Sequence, residues 1–279
     1  MIALFGELLE PSLLSLLYVC LAVNAGAALW SLLIKDWPWL YYVKASLLTL
    51  CVILPCYLIH ITLELTDTSW PNFFGSAYLV ISQSHLGQMW LLMCLAQGVA
   101  LFVVFCSKLL GYYRQAFVLG SVYIFCMARA ASGHAAEAGL LGGAVWIHAI
   151  HIFAACLWLG LIICYLGSRA YTKHDIVYAT QQLSELASLC LLVMVLTGFA
   201  DSLRIYQLAD NFWQSDYFDI LLIKLGVLLG ALSLAAVNRF YTLPRLSHKT
   251  ALFCWLVALE SVFLWLILAI ASYLGGTMP

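Results

Sequence analysis

The chain has 279 residues, with 12 Lys and Arg against 13 Asp and Glu, so 9 % of it is charged while 65 % is hydrophobic. An ordinary soluble domain carries roughly 25 % charge; too little polar surface remains here to cover a globule in water, which excludes a soluble enzyme, a nucleic-acid binder and a disordered chain. The net charge of −1 identifies no partner, because in a membrane protein the placement of charge carries the information. Spanning the hydrocarbon takes about 20 apolar residues. Such runs follow in chain order at 12–34, 39–61, 85–106, 115–134, 144–167, 183–203, 218–237 and 251–274. They predict an all-α polytopic membrane helix bundle with eight transmembrane helices, a single transmembrane domain over residues 1–279. The second run is the weakest because Pro55 lies within it. Glu7 and Glu10 stand where a signal peptide carries basic residues, so the first run reads as a retained helix. The ten cysteines lie mostly inside apolar runs, form no Cys-x-x-Cys pair and read as small hydrophobes.

Orientation follows from the basic residues. Lys35 and Lys44, Lys108 and Arg114, Arg169 and Lys173, and then Arg239, Arg245 and Lys249 occupy alternate connections, which puts nine of the twelve basic residues on one side. Glu7, Glu10, Glu64, Asp67, Glu137, Asp210 and Asp216 fall on the other. With an even number of spans and the positive-inside rule, both termini are expected on the acidic, periplasmic side.

His174 and His248 sit beside lysines in the basic loops and read as solvated. The other five histidines behave differently. His60 closes the second run, His85 opens the third, His134 closes the fourth, and His148 and His151 lie in the first turns of the fifth. Under this topology all five fall in the outer third of the membrane, where ionisable side chains usually face the bundle interior or a water-filled cavity. His148 and His151 are three apart and share a helical face. His85, Met89 and Met93 recur every fourth residue and form a stripe leading inward. Imidazole with thioether suits copper, since imidazole serves either oxidation state and thioether favours Cu(I). The bland alternatives are interhelical hydrogen bonds for the histidines and core packing for the two methionines.

Arg129, Asp201, Arg204, Lys224 and Glu260 are the charges left in or near the spans. Asp201 and Arg204, three apart, read as a local ion pair. Glu260, ten residues into the last run, is expected near mid-membrane; a Lys224–Glu260 ion pair and a proton or ion relay through these residues are alternatives.

Taken in order, several segments resemble the CopD/PcoD family of copper-resistance inner-membrane proteins. They are Ser132-Gly133-His134-Ala135, His151 through Trp158-Leu-Gly160, Thr197-Gly198, Ser215-Asp-Tyr217 with Leu221 to Lys224, Asn238-Arg239, Pro244-Arg245-Leu246 and Glu260. Ser84-His85-Leu-Gly87 with Trp90 extends the resemblance to a CopD-like core of about residues 80–275. It implies an eight-helix protein of the bacterial inner (plasma) membrane that handles copper, with a separate periplasmic CopC-like copper-binding protein as partner. His148, one turn before His151, departs from the family pattern.

The leading expectation is copper uptake or transfer from the periplasm, by a transporter or metal-handling protein in preference to an enzyme. Metal ligands are expected among His85, His134, His148 and His151, with Met89 and Met93 deeper. Ligation requires neutral imidazole, so binding should weaken below about pH 6. A b-type haem protein that transfers electrons, a cupric reductase among the options, is the alternative; its ligands would come from the same four histidines. A third reading is a scaffold that only recruits the periplasmic partner. The partners expected are the copper ion, the CopC-like protein and the lipid bilayer, with no nucleic acid.

Overall fold

The computed structural model describes residues 2–34, 37–66, 70–106, 113–133, 135, 136, 139, 142–168, 176–208 and 212–274. Lys35, Asp67, Lys108, His134, Glu137, Arg169, Lys173, His174 and Asp210, which entered the reading above, lie outside the described residues, as does the side chain of Glu7.

Among the described residues the chain is all helical, with nine α-helices and no strand. They are α1 (Ile2–Leu33), α2 (Trp39–Thr66), α3 (Phe73–Gln83), α4 (His85–Cys106), α5 (Arg114–Ala131), α6 (Gly143–Ser168), α7 (Ile176–Leu208), α8 (Asp216–Val237) and α9 (Leu246–Leu274). Seven are long and apolar enough to cross a membrane, namely α1, α2, α4, α6, α7, α8 and α9. The protein is therefore a multi-pass membrane protein.

Two elements differ from expectation. The predicted fourth span, 115–134, is α5, an 18-residue helix that carries Arg114 and Arg129 near its ends and is not among the seven. It is nonetheless packed into the bundle against α4, α6 and α1. Between α2 and α4 the chain forms α3, an 11-residue helix with no counterpart among the predicted runs. At 1.5 Å per residue it is about 16 Å long, too short to span. Trp70, Phe74 and Tyr78 are exposed on or beside it, the placement of aromatic side chains that sit at a membrane surface.

α2 continues through Pro55 without a break. Proline leaves one helical carbonyl without its N–H, and α4 supports this stretch from the side. Trp90 Nε1 donates to the Leu54 carbonyl at 2.9 Å, and Gln97 Nε2 donates to the Leu47 carbonyl at 2.7 Å.

The centre of the bundle is the α1–α6 crossing, around which α2, α5, α7 and α9 gather. Ala22, Ala25, Ala27 and Ala28 on α1 and Trp158, Leu161 and Cys164 on α6 are buried there. Small residues let the two backbones touch, as is common between membrane helices. A Cβ at Gly26 would collide with the Gly160 backbone, and a Cβ at Gly160 with the Ala22 carbonyl. Gly160→Val should therefore push α1 and α6 apart and cost about 1–3 kcal/mol or more. Thermal unfolding in detergent checks this, and an unchanged midpoint would refute it.

At the other edge, α8 packs mainly on α9. Ser215 caps its N-terminus, its side chain accepting from the Phe218 N–H at 3.3 Å, and Asp216 and Asp219 stand in the first turn, where negative charge complements the helix dipole. At the far end the chain passes through a π-helical turn, Asn238–Thr242, before Pro244 ends the run.

Candidate functional site

Polar side chains gather at one end of the bundle, in two groups. The first joins the start of α6 to the end of α7. His148 Nδ1 lies 2.8 Å from Asp201 Oδ2. A carboxylate only accepts, so the ring nitrogen donates and, in the neutral ring, Nε2 keeps its lone pair. One turn on, His151 Nδ1 is 3.0 Å from Thr197 Oγ1. The single hydroxyl proton of Thr197 is given to the Val193 carbonyl at 2.7 Å, so the hydroxyl oxygen accepts from His151 Nδ1–H. His151 too is thereby fixed in the tautomer that leaves Nε2 free to bind a metal.

Gly198 completes this seat. A Cβ there would stand 3.0 Å from His151 Cε1, so the ring lies directly against the glycine. The charges of Lys224, on α8, and Asp201 both act on His151. The group thus holds two imidazoles, one carboxylate and one ammonium drawn from three helices.

The second group joins α1, α2 and α5. His60 Nε2 is 3.3 Å from Glu64 Oε2 and 3.9 Å from Glu10 Oε2. One ligand atom from each of these three side chains lies within 4.8 Å of the others, close enough to share a metal ion. Arg129, which donates to Ser132 Oγ at 2.8 Å, adds its charge to Glu10, Tyr18 and Tyr57. His85, at the start of α4, lies beside this group's α5 partner: its Nε2 is 2.6 Å from the Ala131 carbonyl. A carbonyl accepts only, so His85 Nε2 carries the proton and Nδ1 is left as its open nitrogen.

The sequence-predicted residues are therefore divided. His148 and His151 come together, and His85 sits at the same bundle end on α4. His134 is outside the described residues. Met93 is 1 % exposed within the apolar core, and Met89 packs against that core.

Glu260 is buried and lies elsewhere. Its Oε1 accepts from Trp158 Nε1 at 3.1 Å and its Oε2 from Asn238 Nδ2 at 3.3 Å. Of the two alternatives for Glu260, the ion pair with Lys224 is not formed among the described residues. The reason is distance along α8: Asn238, which does reach Glu260, stands 14 residues beyond Lys224, about 21 Å of helix. Lys224 instead lies within electrostatic reach of Asp201.

Sequence reasoning missed Asp201 as the partner of His148, Thr197 as the partner of His151, and the carboxylates around His60. Only the last had a local signal, the four-residue spacing of His60 and Glu64 on one helix face. The others are contacts between helices, which spacing does not encode.

No curated protein and no solved structure gives a match to the chain. Residues 177–274 match the family model of copper resistance protein D, CopD. That stretch starts at α7, so the motifs around His85, His134 and His151 lie before it. It contains Thr197, Gly198, Asp201 and Lys224 of the first group, together with Asn238 and Glu260. Over residues 177–274, about a third of its length, the chain is similar to the CopD copper-resistance family.

Proposed function

We propose that the protein takes up copper at the periplasmic face of a bacterial inner membrane and passes it inward. In this reading α5 is the eighth span and both termini are periplasmic. The cargo arrives from a separate CopC-like copper-binding protein. The observation that carries the reading is the His151 seat: a tautomer set by Thr197, a ring packed on Gly198, and a second imidazole held by Asp201 one turn away. Metal-binding histidines are typically held this way, the other ring N–H given to a carboxylate or oxygen acceptor.

Imidazole accepts either copper state. His148 and His151 are the first landing ligands, with His85 and His134 completing the layer and Met89 and Met93 offering thioethers favourable to Cu(I) deeper in the bundle. The same geometry supports copper over haem. His148 and His151 share one face of one helix and cannot occupy opposite faces of a haem, and His85 Nε2 is engaged by a carbonyl.

The test is the metal content and absorption spectrum of the purified protein. Copper bound without a Soret band is the expected result; a Soret band that shifts on reduction would overturn it. Two further outcomes follow from the site. Asp201→Asn weakens the hold on His148 and should lower copper affinity about 10- to 100-fold. Bound copper should also be released on acidification, because protonated imidazole has no lone pair for the metal; equilibrium dialysis across pH checks the sign.

A further inference from the structure

A cavity of about 190 Å³ lies at the opposite end of α8 from Lys224, between α6, α7, α9 and the π-helical turn. Glu260, 5 % exposed, stands in its wall, with Trp158 and Asn238 donating to its two oxygens. At the rim is Arg239, exposed, and its guanidinium is committed elsewhere. It donates to the Ser184 carbonyl at 3.1 Å and to the Ser184 and Ser188 hydroxyls at 2.8 and 2.9 Å, tying the π-helical turn to α7.

Glu260 and Arg239 are the charged groups of the cavity wall; α6 supplies Trp158, α7 the two serines, the π-helical turn Asn238, and the rest of the described lining is apolar. No basic side chain among the described residues lies within salt-bridge distance of Glu260. Both of its hydrogen-bond partners are neutral donors. A carboxylate in this position carries an unmatched negative charge at membrane depth, a costly arrangement that a bound cation relieves. The lining offers carboxylate and hydroxyl oxygen and no imidazole, thiol or thioether, so a soft copper(I) ion finds no suitable ligand there.

We propose that Glu260 is a proton-binding site, loaded and emptied through this cavity from the arginine-marked face. A hydronium ion reaching the cavity gives a proton to a carboxylate oxygen and is left as water, and the neutral carboxyl returns the proton to water by the same route. No residue of the histidine groups takes part, so the site stands or falls separately from the copper reading.

The experiment is labelling of the metal-free, full-length protein with a membrane-soluble carbodiimide, which adds to protonated carboxyl groups, followed by peptide mass mapping. Labelling at Glu260 that declines as pH rises, and is unaffected by sodium chloride, is the expected result. No labelling at any pH at which the protein stays folded, labelling that does not vary with pH, or protection by sodium would overturn the proposal, the last by identifying an alkali-cation site. Peptide mapping of the wild-type protein carries the test, and Glu260→Gln, which removes the labelled position, confirms the assignment where that variant folds.

Discussion

Cells carrying His151→Ala in place of the wild-type protein should accumulate no more copper than cells lacking the protein. Losing an outer partner of a metal ligand typically costs about 10- to 100-fold in affinity, and losing the ligand should cost more. The effect is not expected to come from misfolding. The side chain of His151 is half-buried against Gly198, whereas the helix is anchored further along by Trp158, Leu161 and Cys164 in the core and by the Gly26–Gly160 crossing. The measurement is cellular copper at equal membrane protein content, judged by immunoblot. Accumulation at the wild-type level would remove His151 from the copper route.

The second large effect concerns Thr197, which touches no metal in this account. Thr197→Val keeps the shape of the side chain but removes the oxygen that accepts from His151 Nδ1. The ring then loses the hydroxyl that fixes its tautomer, a hydrogen bond worth about 0.5–1.5 kcal/mol. Copper affinity should fall about 10- to 100-fold, while Thr197→Ser, which retains the hydroxyl, should remain close to wild type. Competition against a chromophoric copper chelator reads both. Equal affinities for the valine and serine variants would show that the tautomer is not set by this bond. A loss in both would point to the methyl group and to packing.

The spans were the most legible part of the sequence, because a run of about 20 apolar residues has few alternatives to a membrane helix. The short helix α3 was not, since 11 residues cannot span and its exposed face carries Phe74 and Tyr78, aromatic where a helix facing water would be polar. The histidine layer was legible as depth alone. Depth follows from counting along a helix, but which side chains meet depends on how each helix is rotated and on its neighbours. Hence the sequence placed Glu260 near mid-membrane yet offered Lys224 as its partner, where the fold supplies Trp158 and Asn238. Spacing links Asp201 to Arg204, and the fold in addition brings its carboxylate to His148 across an interhelical gap. Some of the family-like motifs acquire a physical reason only in three dimensions. Gly160 permits a backbone contact, Gly198 seats a ring, Ser215 caps α8, and Asn238 opens a π-turn against Glu260.

Copper K-edge X-ray absorption of the purified, copper-loaded protein tests the central claim most directly, because it reads the ligands themselves. The account predicts the outer-shell scattering of imidazole in the wild type and its marked loss in the His148→Ala/His151→Ala double variant. A spectrum of sulfur ligands alone, or an imidazole signal unchanged by the double substitution, would contradict it.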